Sequence, residues 1–254
     1  MWGIAGVYHF RSSAPVKADL VSRMCRSIQH RGPDDEGLYI HGPIGLGHRR
    51  LSIIDVGGGH QPISNEDGRV WVVFNGEIYN HHELRQTLIE KGHRFTTTTD
   101  TEVIVHAYEE YGTDCLVHFR GMFAFALWDD RTKTLFMARD RVGKKPLFYT
   151  ITPDGNLIFS SEIKAILEYP HLPRQLNLLA LDQYLHLLYI PAPHTIYEGV
   201  FKLPAGHALV CTPSGSRTFQ YWDLLYPQEP TQLTPKEWEE RFLDLYRECV
   251  RIRL

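Results

Sequence analysis

The spacing of apolar residues changes several times along the chain, and each change predicts an element. Ile4-Ala5-Gly6-Val7-Tyr8 is a short apolar run that predicts a strand starting almost at the amino terminus. Val16, Leu20, Val21, Met24 and Ile28 recur at helical spacing and predict a helix over 16–28, stopping before the turn-rich loop His30-Arg31-Gly32-Pro33-Asp34-Asp35. Strands are predicted around 37–41 and 45–54. The glycine run Gly57-Gly58-Gly59 closes the second and lacks the G-x-x-x-x-G-K-[ST] spacing of a phosphate loop. Residues 70–74 form a further apolar run, leading directly into Asn75-Gly76-Glu77-Ile78-Tyr79-Asn80.

Capping residues sharpen the helix predictions. Asn80 with Glu83 reads as a capping box opening a helix to about Lys91, with Gly92 as its stop. Thr99 with Glu102 reads as a second box, followed by Val103, Ile104, Ala107, Tyr108 and Tyr111 on one face and Gly112 at the end. From 122 to 160 the pattern turns to hairpins, with strands 122–128 and 134–138 around one turn and 147–152 and 157–160 around another. Strands this apolar on both sides predict sheets covered on both faces, in a layered packing of helices and antiparallel strands. Helices are predicted at 162–168 and at 178–188, the latter capped by Asn177, with extended segments around Phe201 and at 207–211. A Pro-rich stretch over 226–235 is the best linker. After it, Thr234-Pro235-Lys236-Glu237 opens a helix whose Trp238, Phe242, Leu245, Cys249 and Ile252 form an apolar stripe.

Composition narrows the picture. At 254 residues and 43% hydrophobic, the chain is long enough for one sizeable domain and part of a second, and its net charge of −3 carries no basic stripe. Nucleic acid is not an expected partner. Cys25, Cys115, Cys211 and Cys249 are far apart and lack C-x-x-C spacing, so reduced thiols in a cytoplasmic protein are expected. No basic-then-apolar leader and no membrane-length apolar run is present.

Taken singly, Arg50, Asn75, Gly76, Glu77 and Asp100 each have an ordinary structural reading: a solvated charge, a turn dipeptide, an exposed acid, a helix start. Together they supply what is needed to grip a free amino acid and attack its side-chain amide. Arg50 can hold an α-carboxylate bidentately, and Glu77 and Asp100 can hold the α-ammonium. The Asn75 amide and the Gly76 N–H can donate to an oxyanion, glycine allowing close approach of the substrate.

At this point the chain resembles the glutaminase domain of the glutamine-hydrolysing asparagine synthetases, within the class II, amino-terminal-nucleophile glutamine amidotransferases. The resemblance rests on Gly3-Ile4-Ala5-Gly6, His30-Arg31-Gly32-Pro33-Asp34, Gly47-His48-Arg49-Arg50-Leu51-Ser52-Ile53-Ile54-Asp55, Asn75-Gly76-Glu77-Ile78-Tyr79-Asn80, Thr99-Asp100-Thr101-Glu102 and Arg120-Gly121-Met122-Phe123-Ala124-Phe125-Ala126, continuing through Arg139 to Leu147 and Ser160 to Ala165. It implies an α+β fold, the four-layer αββα sandwich of two antiparallel sheets. It also implies that Arg50 binds the glutamine carboxylate, that Leu51 and Ile53 line the site through backbone groups, that Asn75 and Gly76 form the oxyanion hole, and that Glu77 and Asp100 bind the amino group.

Two features depart from the family. Its nucleophile is a cysteine following the initiator methionine, and here that position is Trp2. An indole is no nucleophile, and loss of a nucleophile costs about 10⁶ in turnover in a well-studied hydrolase, so negligible glutaminase activity is expected. The family's Ser-Gly-Gly-x-Asp-Ser loop for ATP is also absent. The expected organisation is a glutaminase domain over 1–207, a connecting segment over 208–233 and the first helix of a truncated synthetase domain over 234–254. No cofactor or metal is expected in this chain, with ATP and Mg belonging to the missing domain. The expected partners are glutamine, the synthetase domain and, as in the full-length family, a second copy in a homodimer. The competing reading is a nucleophile-free glutamine-binding or scaffold domain of an ammonia-dependent or β-lactam synthetase-like ligase.

Overall fold

The computed structural model describes residues 2–51, 59–226 and 232–253. In chain order the elements are β1 (Gly3–His9), α1 (Ala18–Ser27), β2 (Asp35–His41), β3 (Ile44–Arg50), β4 (Ile63–Ser64), β5 (Val70–Ile78), α2 (His81–Glu90), α3 (Glu102–Tyr111) and α4 (Cys115–His118). They continue with β6 (Gly121–Asp129), β7 (Thr134–Arg139), β8 (Phe148–Ile151), β9 (Asn156–Ser160), α5 (Ile163–Ile166), α6 (Leu178–Leu187), β10 (Val200–Lys202), β11 (His207–Thr212), β12 (Gly215–Gln220) and α7 (Pro235–Arg251).

The strands form two sheets of six, ordered β10-β8-β9-β1-β3-β2 and β12-β11-β7-β6-β5-β4, with antiparallel pairing throughout. Period-two alternation divides their side chains between layers. Along β6, Phe123, Phe125 and Leu127 pack with α2, α3 and α4, whereas Ala124, Ala126 and Trp128 pack between the sheets. Along β1, Ile4 and Tyr8 face the inter-sheet core, while Ala5 and Val7 face α1 and α5. The order of layers is therefore helix, sheet, sheet, helix: the α+β sandwich expected for strands apolar on both faces.

Several local expectations need correction. The Asn80–Glu83 capping box does not form: the Asn80 Nδ2 donates to the His118 carbonyl at 2.9 Å, and its Oδ1 accepts from the Arg120 N–H at 2.9 Å. The side chain thus ties the start of α2 to the start of β6. Thr99 does not cap α3 either, because the buried Glu102 carboxylate accepts from the backbone N–H and hydroxyl groups of both Thr96 and Thr97. The segment from 208 is not a connector in its first part. Ala208, Leu209 and Cys211 are buried, and β11 pairs β7 on one side and β12 on the other. The Asn177 cap on α6 and the reciprocal Thr234–Glu237 box on α7 form as predicted. Among the described residues no helix is long and apolar enough to cross a membrane.

Candidate active site

A cleft of about 850 Å³ opens at one end of the sandwich, where β1, β3 and β5 come together. The alternation that builds the core also fills this cleft. On β3, Leu46 faces the inter-sheet core, so His48 and Arg50 follow on that side, while Arg49 lies on the other. The twin arginines are accordingly split in role. Arg49 donates to the Gly32 and Pro33 carbonyls and pairs with Glu36 at 2.8 Å, holding the loop between α1 and β2. Arg50 lines the cleft and lies against Gly59, where a Cβ would come within 2.5 Å of Nη2.

Val73 of β5 faces the inter-sheet core, and by the same alternation so do Asn75 and Glu77. Asn75 is fully buried, yet neither its Nδ2 nor its Oδ1 has a hydrogen-bond partner. An unmade hydrogen bond on a buried amide costs about 1–3 kcal/mol, so this side chain stands ready for a ligand. Gly76 also lines the cleft, but its missing side chain has another cause than substrate approach. A Cβ there would meet the Met122 carbonyl oxygen at 2.2 Å, so the close pairing of β5 with β6 demands the glycine.

Glu77 is exposed on the cleft wall and Asp100 is partly buried beside it, its Oδ2 accepting from the Ile78 N–H at 2.9 Å. Burial pushes the Asp100 carboxyl up to about 6 and the Glu77 charge adds to the rise, against the effect of that N–H. Lys145 reaches the same wall. Burial lowers its ammonium, with the Arg31 charge acting the same way and Glu77 opposing it.

Trp2 stands at the inner end of the cleft. Its indole N–H donates to the Leu51 carbonyl at 2.9 Å, its own carbonyl accepts from Arg31 Nε at 3.0 Å, and its ring meets His48 and Phe74 edge-on. Burial drives His48 down to about 3, so the ring is neutral and its Nε2–H donates to the Phe74 carbonyl at 3.2 Å. Gln61 completes the floor: its Oε1 accepts from the Phe74 N–H at 2.7 Å and its Nε2 donates to Thr101 Oγ1 at 3.4 Å.

The structure thus brings Trp2, Arg50, Asn75, Gly76, Glu77 and Asp100 to one cleft, with the Leu51 carbonyl directed at Trp2. Ile53 lies outside the described residues. His48, Gln61, Gly59 and Lys145 were not singled out as site residues from the sequence, although His48 and Lys145 stood inside recognised motifs and Gly59 in the glycine run. The end of α7 was also missed. Arg251, Ile252 and Arg253 border the cleft, the Arg253 guanidinium lies 4.5 Å from the Tyr79 ring centroid, and Arg120 pairs with Glu248 at 2.7 Å.

Over residues 1–222 the sequence matches the glutamine amidotransferase domain family. The chain belongs to that family. Among curated relatives of this glutamine amidotransferase domain, asparagine synthetase [glutamine-hydrolyzing] 3 of Bacillus subtilis is 37% identical over 227 residues, covering 88% of this chain and 37% of its own length. A putative asparagine synthetase [glutamine-hydrolyzing] 2 of Methanocaldococcus jannaschii is 38% identical over 279 residues, covering all of this chain and 52% of the relative. The chain therefore spans between about a third and a half of these relatives. Among solved structures, glutamine phosphoribosylpyrophosphate amidotransferase of B. subtilis, complexed with ADP and GMP, superposes with a TM-score of 0.60 at 19% identity, covering 87% of this chain and 49% of that one. That likeness shows the fold.

Proposed function

We propose that this chain is the glutaminase-type domain of an asparagine synthetase-like amidotransferase, with its glutamine pocket retained and its hydrolytic step lost at Trp2. In this reading Arg50 takes the glutamine carboxylate, and Glu77 with ionised Asp100 takes the ammonium. The side-chain amide is directed to Asn75 and the Gly76 N–H. The observation that carries the reading is the buried Asn75 amide, without a hydrogen bond on either its nitrogen or its oxygen, in a cleft lined by a cation and two acids. In a working enzyme of this kind, a nucleophile at position 2 would attack the amide carbon and ammonia would leave with the proton removed from that nucleophile. Trp2 offers no such group, and its indole N–H occupies the Leu51 carbonyl.

The relatives are longer than this chain, and Trp238, Phe242 and Leu245 of α7 are exposed rather than packed on the sandwich. Both observations support a synthetase partner domain lying against α7; ATP and Mg acting in that domain and a homodimeric assembly belong to the same proposal. The Trp2–Leu51 bond also favours a second reading, a nucleophile-free domain that supports an ammonia-dependent or β-lactam synthetase-like ligase. The deciding experiment is glutaminase assay of the wild type beside Trp2→Cys with the initiator methionine removed. Release of glutamate by the variant alone supports the first reading; a correctly processed but inert variant supports the second.

A further inference from the structure

Away from the cleft, α3 is fastened to two loops by a group of side chains that the glutamine site does not use. Glu66 lies in the turn between β4 and β5, His93 in the loop after α2, and His106 and Glu109 on successive turns of α3. One potential ligand atom from each of the four lies within 4.8 Å of all the others, and among the described residues this is the one place where such groups converge.

The neighbouring contacts fix the direction of three of the ligands, while His93 has its Nε2 3.5 Å from Glu110 Oε2. Glu66 Oε1 accepts from the Arg94 N–H at 2.7 Å, which leaves Oε2 facing His106 Nδ1 at 3.7 Å. Glu109 Oε1 takes Asn65 Nδ2 at 2.8 Å and Arg131 Nη1 at 3.2 Å, leaving Oε2 at 3.6 Å from the same Nδ1. His106 is fully buried, and neither of its ring nitrogens makes a hydrogen bond; Glu109 Oε2 is buried and makes none either. On the far side of the imidazole, Nε2 faces Glu102 Oε1 at 3.6 Å, and Glu102 is itself held by Thr96 and Thr97. A carboxylate behind the ring orients a metal-binding histidine by drawing the proton to the outer nitrogen, leaving the inner lone pair for the ion.

We propose that Glu66, His93, His106 and Glu109 bind one divalent transition-metal ion of the zinc class. Two imidazoles and two carboxylates are a donor set for zinc or cobalt rather than magnesium or calcium. Four ligands at about 2.05 Å from a tetrahedral centre stand about 3.4 Å apart. The 3.6 and 3.7 Å separations around Nδ1 need each atom to move inward by roughly 0.2 Å. With all four positions filled by protein, the site is closed and structural. It joins the loops around Glu66 and His93 to the helix that begins two residues after Asp100.

The test uses the full chain, stripped of metal and titrated with Zn²⁺ or Co²⁺ alone, without glutamine. Its outcome is thus independent of the function proposed above. One equivalent should bind, the cobalt form should show the intense visible absorption of four-coordinate Co²⁺, and the melting midpoint should rise by about 5–10 °C at a hundredfold excess over Kd. Mg²⁺ should give no shift. The variant Glu66→Gln/His93→Gln, altered at the more accessible ligands, should fold and lose both the spectrum and the shift, whereas His106→Gln tests the buried ligand. Absence of stoichiometric uptake by the wild type would overturn the proposal and leave His106 as a buried ring among three carboxylates. So would uptake or a cobalt spectrum unchanged in the double variant, or an equal shift with Mg²⁺.

Discussion

The Trp2 indole N–H and the Leu51 carbonyl are hydrogen-bonded at 2.9 Å, so the second residue of the chain satisfies an acceptor on the cleft wall. Trp2→Phe keeps an aromatic ring and removes the N–H, while Trp2→Gly removes both. Calorimetric titration with L-glutamine should give affinities rising from wild type through Trp2→Phe to Trp2→Gly. The first step should be up to about tenfold, the range of one net hydrogen bond. Equal affinities would mean that the indole does not compete for the site.

Asn75 carries an opposite pair of effects. Because its amide is buried without partners, Asn75→Leu, of similar shape, should raise the stability of the ligand-free protein by about 1–2 kcal/mol in denaturant unfolding. In a processed Trp2→Cys background, the same change should lower glutaminase turnover by about 10²–10³-fold. A destabilised, fully active Asn75→Leu variant would contradict both roles.

Asp100 sets a pH dependence. Its folded pKa of about 6 lies above the ordinary 3.8, so the folded state holds the proton more tightly than the unfolded chain. Stability from this group is fully present below 3.8 and is lost as pH rises through about 6. Asp100→Asn should therefore be more stable than the wild type at pH 7 and nearly equal to it at pH 4. Glutamine binding should move the other way, strengthening in the wild type between pH 5 and 7 as the carboxylate ionises, with that dependence lost in Asp100→Asn.

Gly59 and Gly76 separate positioning from folding. A Cβ at Gly59 meets the far end of a flexible side chain, Arg50 Nη2. Gly59→Ala should keep the melting midpoint within a few degrees while weakening glutamine binding by about tenfold or more, through the displaced guanidinium. A Cβ at Gly76 meets the Met122 backbone. Gly76→Ala should therefore lose several kcal/mol or fail to fold, and its inactivity would carry no information about the oxyanion hole.

The legible parts of the chain were those governed by local rules. The double apolar alternation of β6 foretold a sheet covered on both faces, and Thr234 with Glu237 foretold the start of α7. The cleft residues were legible because their chemistry forms a set and the family motifs preserve it. Tertiary partners defeated the rest. Asn80 has the sequence of a cap, but its amide is taken by His118 and Arg120, 38 and 40 residues away. The extended segment at 207–211 was anticipated but assigned to the connector, because the partner of β11, β7, lies far back along the chain. The Glu66–His106 cluster draws on three segments, and only the His106–Glu109 spacing left any local trace.

β1 lies inside its sheet, between β3 and β9, and the Ile4 N–H bonds to Ser161 Oγ across 157 residues of chain. During synthesis, β1 leaves the ribosome well over a hundred residues before β9 and is thus late to acquire its full set of neighbours. Until β9 emerges, one long edge of β1 stays open to other strands, the condition under which nascent chains pair wrongly or recruit chaperones. The residues that furnish the cleft's inner end are therefore placed late, by a closure that depends on the sheet's far half being made.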